Sequence, residues 1–286
     1  MRAVNLDESF VEKAMPVRKA AAHKRMNGTV CVVGGSRLYH GAPYLCASGA
    51  MRAGVDLVYV AVPSVIAAPI RSLSPDLIVV PLPDGKLTRG NVTKIMAWAK
   101  NIDCYAVGPG LGAQNPEEVA SAVNRLKGES RSIVIDADAL RPSILPHLKN
   151  ARAVVTPHSG EFERLFSTTL PAETEGRAQI AAAKAKEAGV TVLLKGPTDV
   201  ITDGERVALN NAHSPAMTVG GTGDVLTGVT AGLLAKGAEP FDAACLAAFI
   251  NGSAGLLAAK EYGLHITASD VVNRIANVMK RFDRLE

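Results

Sequence analysis

The segment TVCVVGGSRLYHGAPYLCASGAMRAGVDLVYVAV, residues 29–62, decides the fold class of this chain. Its two ends, residues 29–33 and 57–62, are short apolar runs rich in valine, which is typical of strands covered on both faces. Between them a glycine-containing turn leads into residues 42–53, whose composition predicts a helix. Strand, helix and strand in this order form a βαβ unit, which predicts a parallel sheet.

The same alternation continues as far as residue 194. Apolar runs and stretches of helical composition follow one another, so the βαβ unit is repeated along the chain. The further predicted strands are residues 77–80, 104–107, 133–135, 153–155 and 191–194. The further predicted helices are residues 92–100, 117–126 and 175–188.

The last third of the chain has a different pattern. Residues 200–201 and 207–208 are apolar and flank the turn sequence TDGE at 202–205, which predicts a hairpin. An Ala-rich helix in the region that follows is interrupted by Asn251 and Ser253 and is predicted to be a buried core helix. The three predicted C-terminal helices are residues 224–235, 242–262 and 268–282.

Length and composition favour a single domain. The chain has 286 residues, of which 48% are hydrophobic and only 4% aromatic, so small aliphatic side chains can form a large core. No internal repeat, low-complexity tract or long linker divides the sequence. We therefore expect one three-layer α/β/α domain over residues 1–286, with a central, mainly parallel sheet and an N-terminal helical extension at residues 1–25.

Charge and cysteine content exclude several classes of protein. The net charge is +4 and the basic residues are scattered, so nothing indicates nucleic-acid binding. Cys31, Cys46, Cys104 and Cys245 show no CxxC spacing, which favours buried free thiols in a reducing cytosol. The N-terminus lacks the apolar segment of a signal peptide, and no uninterrupted apolar run is long enough to span a membrane. A cytoplasmic protein is expected.

Ligands of open α/β sheets bind beyond the carboxyl ends of the strands, so we searched the segments that follow them. The sequence GGTGD at 220–224 opens a helix, where glycines allow a ligand to approach the backbone closely. The free N–H groups around Gly221, Thr222 and Gly223 form a predicted anion hole. Asp224 either caps this helix or acts as a general base on a hydroxyl group, and the density of glycines favours the base.

Two other segments carry charged residues at strand ends. The sequence KGPTD at 195–199 places Lys195 where it can meet a nucleotide phosphate, although a surface lysine in a turn is the simpler interpretation of this segment alone. In TPHSGE at 156–161, His158 and Glu161 are three residues apart, so one helical turn brings them to the same side. Glu161 is either a Mg²⁺ ligand through water or only a favourable charge at a helix start.

Glycine-rich turns and carboxylates follow the remaining strands. The sequence GPGLG at 108–112 forms a second glycine loop. GGS at 34–36 leads to a helix where Ala42 either leaves room for a flat ligand or only allows a tight turn with close packing of the helix on the sheet. Asp136 and Asp138 follow another strand, where one carboxylate can face the site and assist Mg²⁺ or a ligand hydroxyl. The chain has no GxxxxGK[ST] P-loop, so a nucleotide is not held in that way. GGS at 34–36 does not match the GxGxxG fingerprint, which disfavours an ordinary dehydrogenase.

Taken in order, these segments resemble the ADP- or ATP-dependent NAD(P)H-hydrate dehydratases of the ribokinase-like superfamily. The resemblance extends from about Gly28 to the C-terminus and rests on VVGGSRLYHGAPYLCASGAMRAGVDLVYVAVP, VGPGLG, VIDADAL, TPHSGEFERL, LLKGPTDVITDG and MTVGGTGDVLTG. Each segment alone is weak evidence, whereas all six in this order are specific.

The resemblance implies a ribokinase-like fold and an enzyme that repairs the S-epimer of hydrated NADH or NADPH. The ring hydroxyl would be phosphorylated, with Asp224 as base, ADP favoured over ATP as donor and Mg²⁺ as cofactor, and phosphate would then be eliminated. The residues implied to bind the nucleotide are Lys195, Gly196, Pro197, Thr198, Asp199 and Gly223. The residues implied to contact the substrate are Ala42, Gly110, Gly112, His158 and Asp224.

Departures from related sequences are also informative. Related kinases organise Mg²⁺ with an Asn-x-x-Glu motif, whereas this chain has His158 at the Asn position and keeps Glu161, as is typical of the dehydratases. Residues 211–216 lack the glycines expected before the anion hole, so His213 either reaches the nucleotide or only alters the rigidity of the loop. Many relatives carry an N-terminal epimerase domain, but this chain begins almost at the kinase-like domain. We therefore expect a separate epimerase, and relatives suggest a homo-oligomer.

Two other functions stay open at the level of sequence. A small-molecule kinase for a vitamin precursor or sugar would stop at a stable phosphorylated product, and His158 in place of Asn argues against it. A nucleotide-binding sensor without catalysis would not need Asp224 beside an intact anion hole. Both alternatives predict nucleotide binding without repair of the hydrates.

Overall fold

The computed structural model describes residues 3–83, 85–128 and 130–286. Within these ranges ten strands form one sheet, in the order β1-β10-β9-β8-β7-β6-β5-β2-β3-β4. The strands are β1 (Val4–Asn5), β2 (Thr29–Val33), β3 (Leu57–Pro63), β4 (Ile78–Leu82), β5 (Cys104–Val107), β6 (Ser132–Ile135), β7 (Ala153–Val155), β8 (Thr191–Leu194), β9 (Asp199–Thr202) and β10 (Val207–Asn210).

Helices cover both faces of this sheet. They are α1 (Glu8–Ala14), α2 (Gly41–Arg52), α3 (Ser64–Leu73), α4 (Arg89–Trp98), α5 (Pro116–Gly128), α6 (Leu145–Leu148), α7 (Ser159–Phe166), α8 (Thr174–Ala188), α9 (Thr222–Ala235), α10 (Pro240–Tyr262) and α11 (Ala268–Met279). Short 3₁₀ turns lie at Ala137–Ala139, Pro142–Ile144, Pro215–Met217 and Lys280–Phe282.

The strand directions confirm a mainly parallel sheet. Every neighbouring pair is parallel except those of β9, which runs antiparallel to both β8 and β10. The turn between β9 and β10 contains Gly204 at a φ of +91°, a conformation that favours glycine. The predicted hairpin is therefore confirmed.

Two layers of helices enclose the sheet because alternate residues of each strand face opposite sides. In β2, Val30 and Val32 join a core with α1–α3 and α9–α11, whereas Cys31 and Val33 join a second core with α4–α8. Each strand therefore buries both faces, which explains its continuous apolar sequence. The predicted three-layer α/β/α architecture is confirmed.

Two elements differ from the sequence-based expectation. Residues 1–25 were predicted to be a helical extension, but the described part is helical only at Glu8–Ala14, which Asp7 caps by accepting from the Phe10 N–H at 2.8 Å. Val4–Asn5 instead extends the sheet as a strand beside β10. Helix α3 (Ser64–Leu73) was not predicted.

The long helix α10 forms part of the protein core, as predicted from sequence. Its 23 residues are long and apolar enough to cross a membrane, but 72% of its most apolar window is buried inside the protein. Its alanines pack against α9 and α11 in the core between the helices and the sheet. Burial in a folded protein accounts for this hydrophobicity.

Candidate active site

The predicted site segments meet at one edge of the sheet. The loops at residues 108–112, 136–138, 156–161 and 195–199 follow β5, β6, β7 and β8, which run parallel. The strand order reverses between β5 and β2, and such a switch point opens a crevice in an α/β sheet. Four of the predicted segments therefore lie along the crevice, and the turn after β2 closes its other side.

Helix α9 begins at this edge with an open N-terminus. Gly221 precedes the helix at a φ of +98°, and a Cβ atom there would lie 2.5 Å from Leu45 Cδ1. No side chain caps the helix, so Asp224 does not have the capping role that the sequence left open. The N–H groups of the first turn remain available to an anion, and the helix dipole favours negative charge there.

Glycines bring α2 and α9 into close contact. A Cβ on Gly228 would lie 1.8 Å from the Cys46 carbonyl oxygen, and one on Gly49 would lie 2.5 Å from the Val225 carbonyl oxygen. Larger residues at these positions would separate the helices. The small residues of α2 therefore hold the first turn of α9, which carries Asp224, next to the start of α2.

Lys195 is the centre of a buried charge network rather than a surface lysine. Its Nζ atom lies 3.0 Å from Asp136 Oδ1 and 3.5 Å from Glu161 Oε2. Asp136 is only 2% exposed, and its other oxygen accepts from the Thr227 hydroxyl at 2.7 Å. Although burial opposes it, the charges of Asp136 and Glu161 raise the pKa of Lys195. Lys195 is therefore a fixed cation at the sheet edge.

The surroundings of Asp224 disfavour its charged form, whereas those of Lys195 favour the charged form. Burial raises its pKa to about 7, the neighbouring charge of Asp136 adds to the increase, and Lys195 opposes it. Glu161 and Asp138 raise this pKa further, which shows that the carboxylates of several loops converge on Asp224. A carboxyl group that titrates near neutrality can accept a proton from a hydroxyl more readily than an exposed aspartate.

His158 and Glu161 meet at the start of α7, as their spacing predicts. His158 Nδ1 accepts from the N–H groups of Gly160 and Glu161 at 3.1 and 3.3 Å, and Glu161 Oε2 accepts from the His158 N–H at 2.8 Å. This capping box leaves Nε2 as the N–H donor of a neutral imidazole. The side chain of His158 is 61% exposed and lines the neighbouring cavity. Both residues thus stabilise the helix start and face the site.

Three of the residues predicted to contact the substrate, Ala42, Gly110 and Gly112, lie at the switch point. Gly110 has a φ of +67°, and a Cβ on it would lie 2.9 Å from the Ala42 Cβ, so the two residues are in contact. The Gly112 N–H donates to Asp138 Oδ2 at 2.8 Å. Asp138 therefore links the glycine loop to the carboxylates around Asp224.

A cavity of about 490 Å³ extends from the start of α9 towards α10. Of the predicted nucleotide-binding residues, Lys195, Gly196, Pro197, Asp199 and Gly223 line it. Its volume is in the range of small-molecule sites, and its position beside an open helix N-terminus suits a phosphorylated ligand. His213 also lines the cavity, whereas Thr198 does not and donates its hydroxyl to Asn211 Oδ1 at 2.9 Å.

Two polar residues that the sequence analysis did not assign to the site also belong to it. Asn251, on α10, is 5% exposed and lines the cavity, and its Oδ1 atom has no hydrogen-bond partner. Its Nδ2 faces the Thr222 carbonyl oxygen at 3.5 Å, which fixes the orientation of the amide. Thr227 holds Asp136, as described above. The sequence signal for Asn251 is its interruption of an apolar helix.

Fold and site together define a protein of the ribokinase-like class, with a carboxylate beside an uncapped, glycine-rich helix start. A solved ribokinase-like superfamily protein from Enterococcus faecalis V583 matches the fold with a TM-score of 0.79 at 21% identity, covering 99% of this chain and 97% of that chain. The sequence model described as NAD(P)H-hydrate dehydratase matches residues 30–277. This chain belongs to the NAD(P)H-hydrate dehydratase family.

Individual relatives support the assignment to this family. The ADP-dependent (S)-NAD(P)H-hydrate dehydratase of Nitrosopumilus maritimus is 47% identical over the full length of both chains. The bifunctional NAD(P)H-hydrate repair enzyme Nnr of Pyrobaculum aerophilum is 45% identical, over 93% of this chain and 53% of that protein. The ADP/ATP-dependent NAD(P)H-hydrate dehydratase of Bacillus subtilis, co-crystallised with ATP and Mg²⁺, has a TM-score of 0.83 at 26% identity, covering 99% and 100% of the two chains.

Proposed function

We propose that this chain is an ADP-dependent (S)-NAD(P)H-hydrate dehydratase that restores NADH or NADPH from the S-epimers of their hydrates. The observation that carries the proposal is Asp224, whose pKa is raised to about 7 beside the open N-terminus of α9. The family assignment and the name of the full-length relative support the same activity.

The reaction begins with proton transfer to Asp224. As the ring hydroxyl loses its proton to this carboxylate, its oxygen forms a bond to the terminal phosphorus of the nucleotide, and the bond to the nucleotide's bridging oxygen breaks. The C–O bond of the phosphorylated hydrate then breaks, the ring nitrogen supplies the electron pair of the new double bond, and phosphate leaves. The C=N⁺ bond formed in this way then loses a proton from the neighbouring ring carbon, which restores the C=C double bond of the reduced nicotinamide. Phosphorylation turns a poor leaving group into a good one.

Two features of the chain stabilise charge on the phosphoryl group. Thr222 and Gly223 in the uncapped first turn of α9 line the cavity, and a Cβ on Gly223 would be 3.4 Å from Lys195 Nζ. A phosphoryl group at Gly223 would thus meet both a helix N-terminus and a fixed cation. Phosphoryl transfer depends mainly on such positioning and electrostatics.

The described residues fit a Mg²⁺ ion that is held mainly by phosphates and water. They contain no group of three His, Cys, Asp or Glu side chains that could form a metal cage. Glu161 Oε2 is occupied by the His158 N–H and Lys195, whereas Oε1 faces only His158 Nε2 at 3.5 Å. One carboxylate oxygen is thus available to a metal-bound water, which is the usual mode for Mg²⁺ with nucleotides. Bound there, Mg²⁺ would neutralise charge on the transferred phosphate.

The unpartnered Asn251 Oδ1 supports binding of a nucleoside in the cavity. A buried carbonyl oxygen without a partner is unfavourable, and a donor on the ligand, such as a base amine or a ribose hydroxyl, would satisfy it. We expect Asn251→Ala to weaken nucleotide binding about tenfold, measured by titration calorimetry with ADP and ATP. Ser253→Ala on the same helix is the control. Inosine nucleotides distinguish the base amine from the ribose, and unchanged affinity of Asn251→Ala would contradict this role.

The pH profile provides a second expected result. Asp224 must be ionised to accept a proton, and its raised pKa keeps it protonated below about pH 7. We therefore expect kcat/KM to decrease about tenfold per pH unit below pH ~7. Asp136→Asn removes a negative charge that raises the Asp224 pKa. The acid limb of the pH profile, where kcat/KM decreases, should therefore move to lower pH. If kcat/KM of the unsubstituted enzyme decreased only near the ordinary aspartate pKa, the assignment of Asp224 as the base would be contradicted.

The direct test uses chemically prepared NADH hydrate and NADPH hydrate with Mg²⁺ and either ADP or ATP. Restoration of the near-ultraviolet absorbance of the reduced nicotinamide, with stoichiometric release of phosphate, is the expected result. The donor that supports it identifies the nucleotide preference. Nucleotide binding without restoration of absorbance on either hydrate would exclude the repair activity.

We also infer that the enzyme is a cytoplasmic homo-oligomer and that it works together with an NAD(P)HX epimerase. The four cysteines are free and buried, which suits a reducing compartment. Leu256, Leu257 and Leu264 are 42%, 40% and 72% exposed at the end of α10 and beyond, which suits a contact between subunits. Light scattering tests the oligomer. Complete conversion of an epimer mixture only after epimerase is added tests the pairing.

A further inference from the structure

Arg177, on α8, packs against the segment that links β8 to β9. Its NH2 group donates to the Lys195 carbonyl oxygen at 3.1 Å. A Cβ on Gly196 would lie 2.7, 3.0 and 3.2 Å from NH2, NH1 and Cζ of this arginine, so the guanidinium group lies close to the glycine backbone. Gly196 has no positive φ, so a side chain at this position would disturb the contact with Arg177 and would not strain the backbone.

The charge of Arg177 is not neutralised by the protein. Its Nε atom is buried without a hydrogen-bond partner, and no carboxylate among residues 3–83, 85–128 and 130–286 forms an ion pair with it. It also occupies the first turn of α8, where the helix dipole disfavours a cation. In the free protein, the hydrogen bond to the Lys195 carbonyl oxygen is the contact that offsets these unfavourable effects.

The segment that Arg177 supports forms one wall of the cavity. Lys195, Gly196 and Pro197 line the cavity, whereas Arg177 lies behind them. The Gly196 N–H is held by Asp199 Oδ1 at 3.0 Å, so the Lys195–Gly196 peptide is fixed on both of its sides. An uncompensated cation directly behind this wall attracts an anion on the other side, because the intervening protein screens charge less than water does.

We propose that Arg177 is a positioning residue for the phosphoryl donor, which holds the Lys195–Gly196 peptide and supplies long-range positive charge to the donor's phosphates. The inference rests on the proposed function only in that the cavity binds a nucleotide. Arg177 does not touch the reacting atoms. Its removal should therefore raise the KM for the nucleotide and leave kcat nearly unchanged.

The test compares Arg177→Met, Arg177→Lys and Gly196→Ala with the unsubstituted chain. Calorimetry with ADP and ATP, in the absence of any hydrate, should show about tenfold weaker binding for Arg177→Met. Arg177→Lys should retain part of the affinity, because it keeps the charge but not the planar contact with the glycine. The salt dependence of nucleotide binding should be smaller in Arg177→Met than in Arg177→Lys.

Gly196→Ala provides the matched steric control. Its Cβ should displace the guanidinium group from the Lys195 carbonyl, so the single variant should bind nucleotide about as weakly as Arg177→Met. The double variant should then be no weaker than either single one, which is the sign of one shared interaction. Additive losses, or unchanged nucleotide affinity in folded Arg177→Met, would overturn the proposal. Nucleotide binding without hydrate repair would refute the proposed function but leave this test intact.

Discussion

Asp224→Asn is expected to lower kcat for hydrate dehydration by about 10²–10⁴-fold, the usual contribution of a general base. Asparagine keeps the size of the side chain but cannot accept the hydroxyl proton. Gly221, Thr222 and Gly223 stay in place, so nucleotide binding should be nearly unchanged. Single-turnover measurements with saturating nucleotide would show the loss in the chemical step itself.

The stability of Asp224→Asn is the control for misfolding. The pKa of Asp224 is raised in the folded protein, so the ordinary carboxyl of the unfolded chain ionises first as pH increases. The contribution of Asp224 to the free energy of unfolding is therefore present at low pH and is lost as pH rises towards about 7. The variant should unfold at a higher temperature than the original chain at pH 8 and show little difference near pH 4. An inactive variant that is also less stable at pH 8 would not support a catalytic role.

The sequence predicted the parallel core because that part of the fold depends on local patterns. Each strand is buried on both faces, and its apolar run is visible without knowledge of its neighbours. Helix α3 (Ser64–Leu73) was missed because it contains Pro69 and follows its strand directly, without a cap or turn signal. The strand Val4–Asn5 has two residues and exists only through pairing with β10, which no local pattern reveals.

The site was predictable in its parts but not in its connections. Glycine loops and charged residues at strand ends identified the segments, since parallel strands bring their carboxyl ends to one edge. The partnership of Lys195 with Asp136 joins residues 59 positions apart and depends on the register of three strands, β6, β7 and β8. That register determines which side chain pairs with which. The sequence therefore allowed Lys195 to be either a surface residue or a phosphate contact. The fold places it in a buried charge network with Asp136 and Glu161, and its contact with a phosphate stays a prediction.

Asn251 and Arg177 show a second limit of sequence analysis. Each is significant because a polar atom is buried without a partner, and a missing partner is a property of the complete packing. In the sequence Asn251 is only an interruption in an apolar helix, and Arg177 is one of many cations on an exposed helix. Unsatisfied atoms beside a cavity therefore add information on ligand binding that motifs do not contain.

Lys195→Met is expected to affect stability and catalysis together. Asp136 is 2% exposed and would lose the cation 3.0 Å away, and removing one partner of a buried pair typically costs about 3–5 kcal/mol. Lys195 also opposes the increase in the Asp224 pKa, so this pKa should rise and the acid limb of kcat/KM should move above pH ~7. Thermal unfolding and the pH–rate profile measure these two effects separately.

The double variant Lys195→Met/Asp136→Asn separates structural from catalytic loss. It replaces the buried carboxylate with a neutral group that can still accept from the Thr227 hydroxyl, so most of the lost stability should return. The acid limb should also return towards lower pH, because Asp136 no longer raises the Asp224 pKa. Activity should nevertheless stay low, since no cation remains beside Gly223 to stabilise the transferred phosphoryl group. Full activity in a stable double variant would mean that Lys195 serves only to neutralise Asp136, and that the N-terminus of α9 alone supports the transfer.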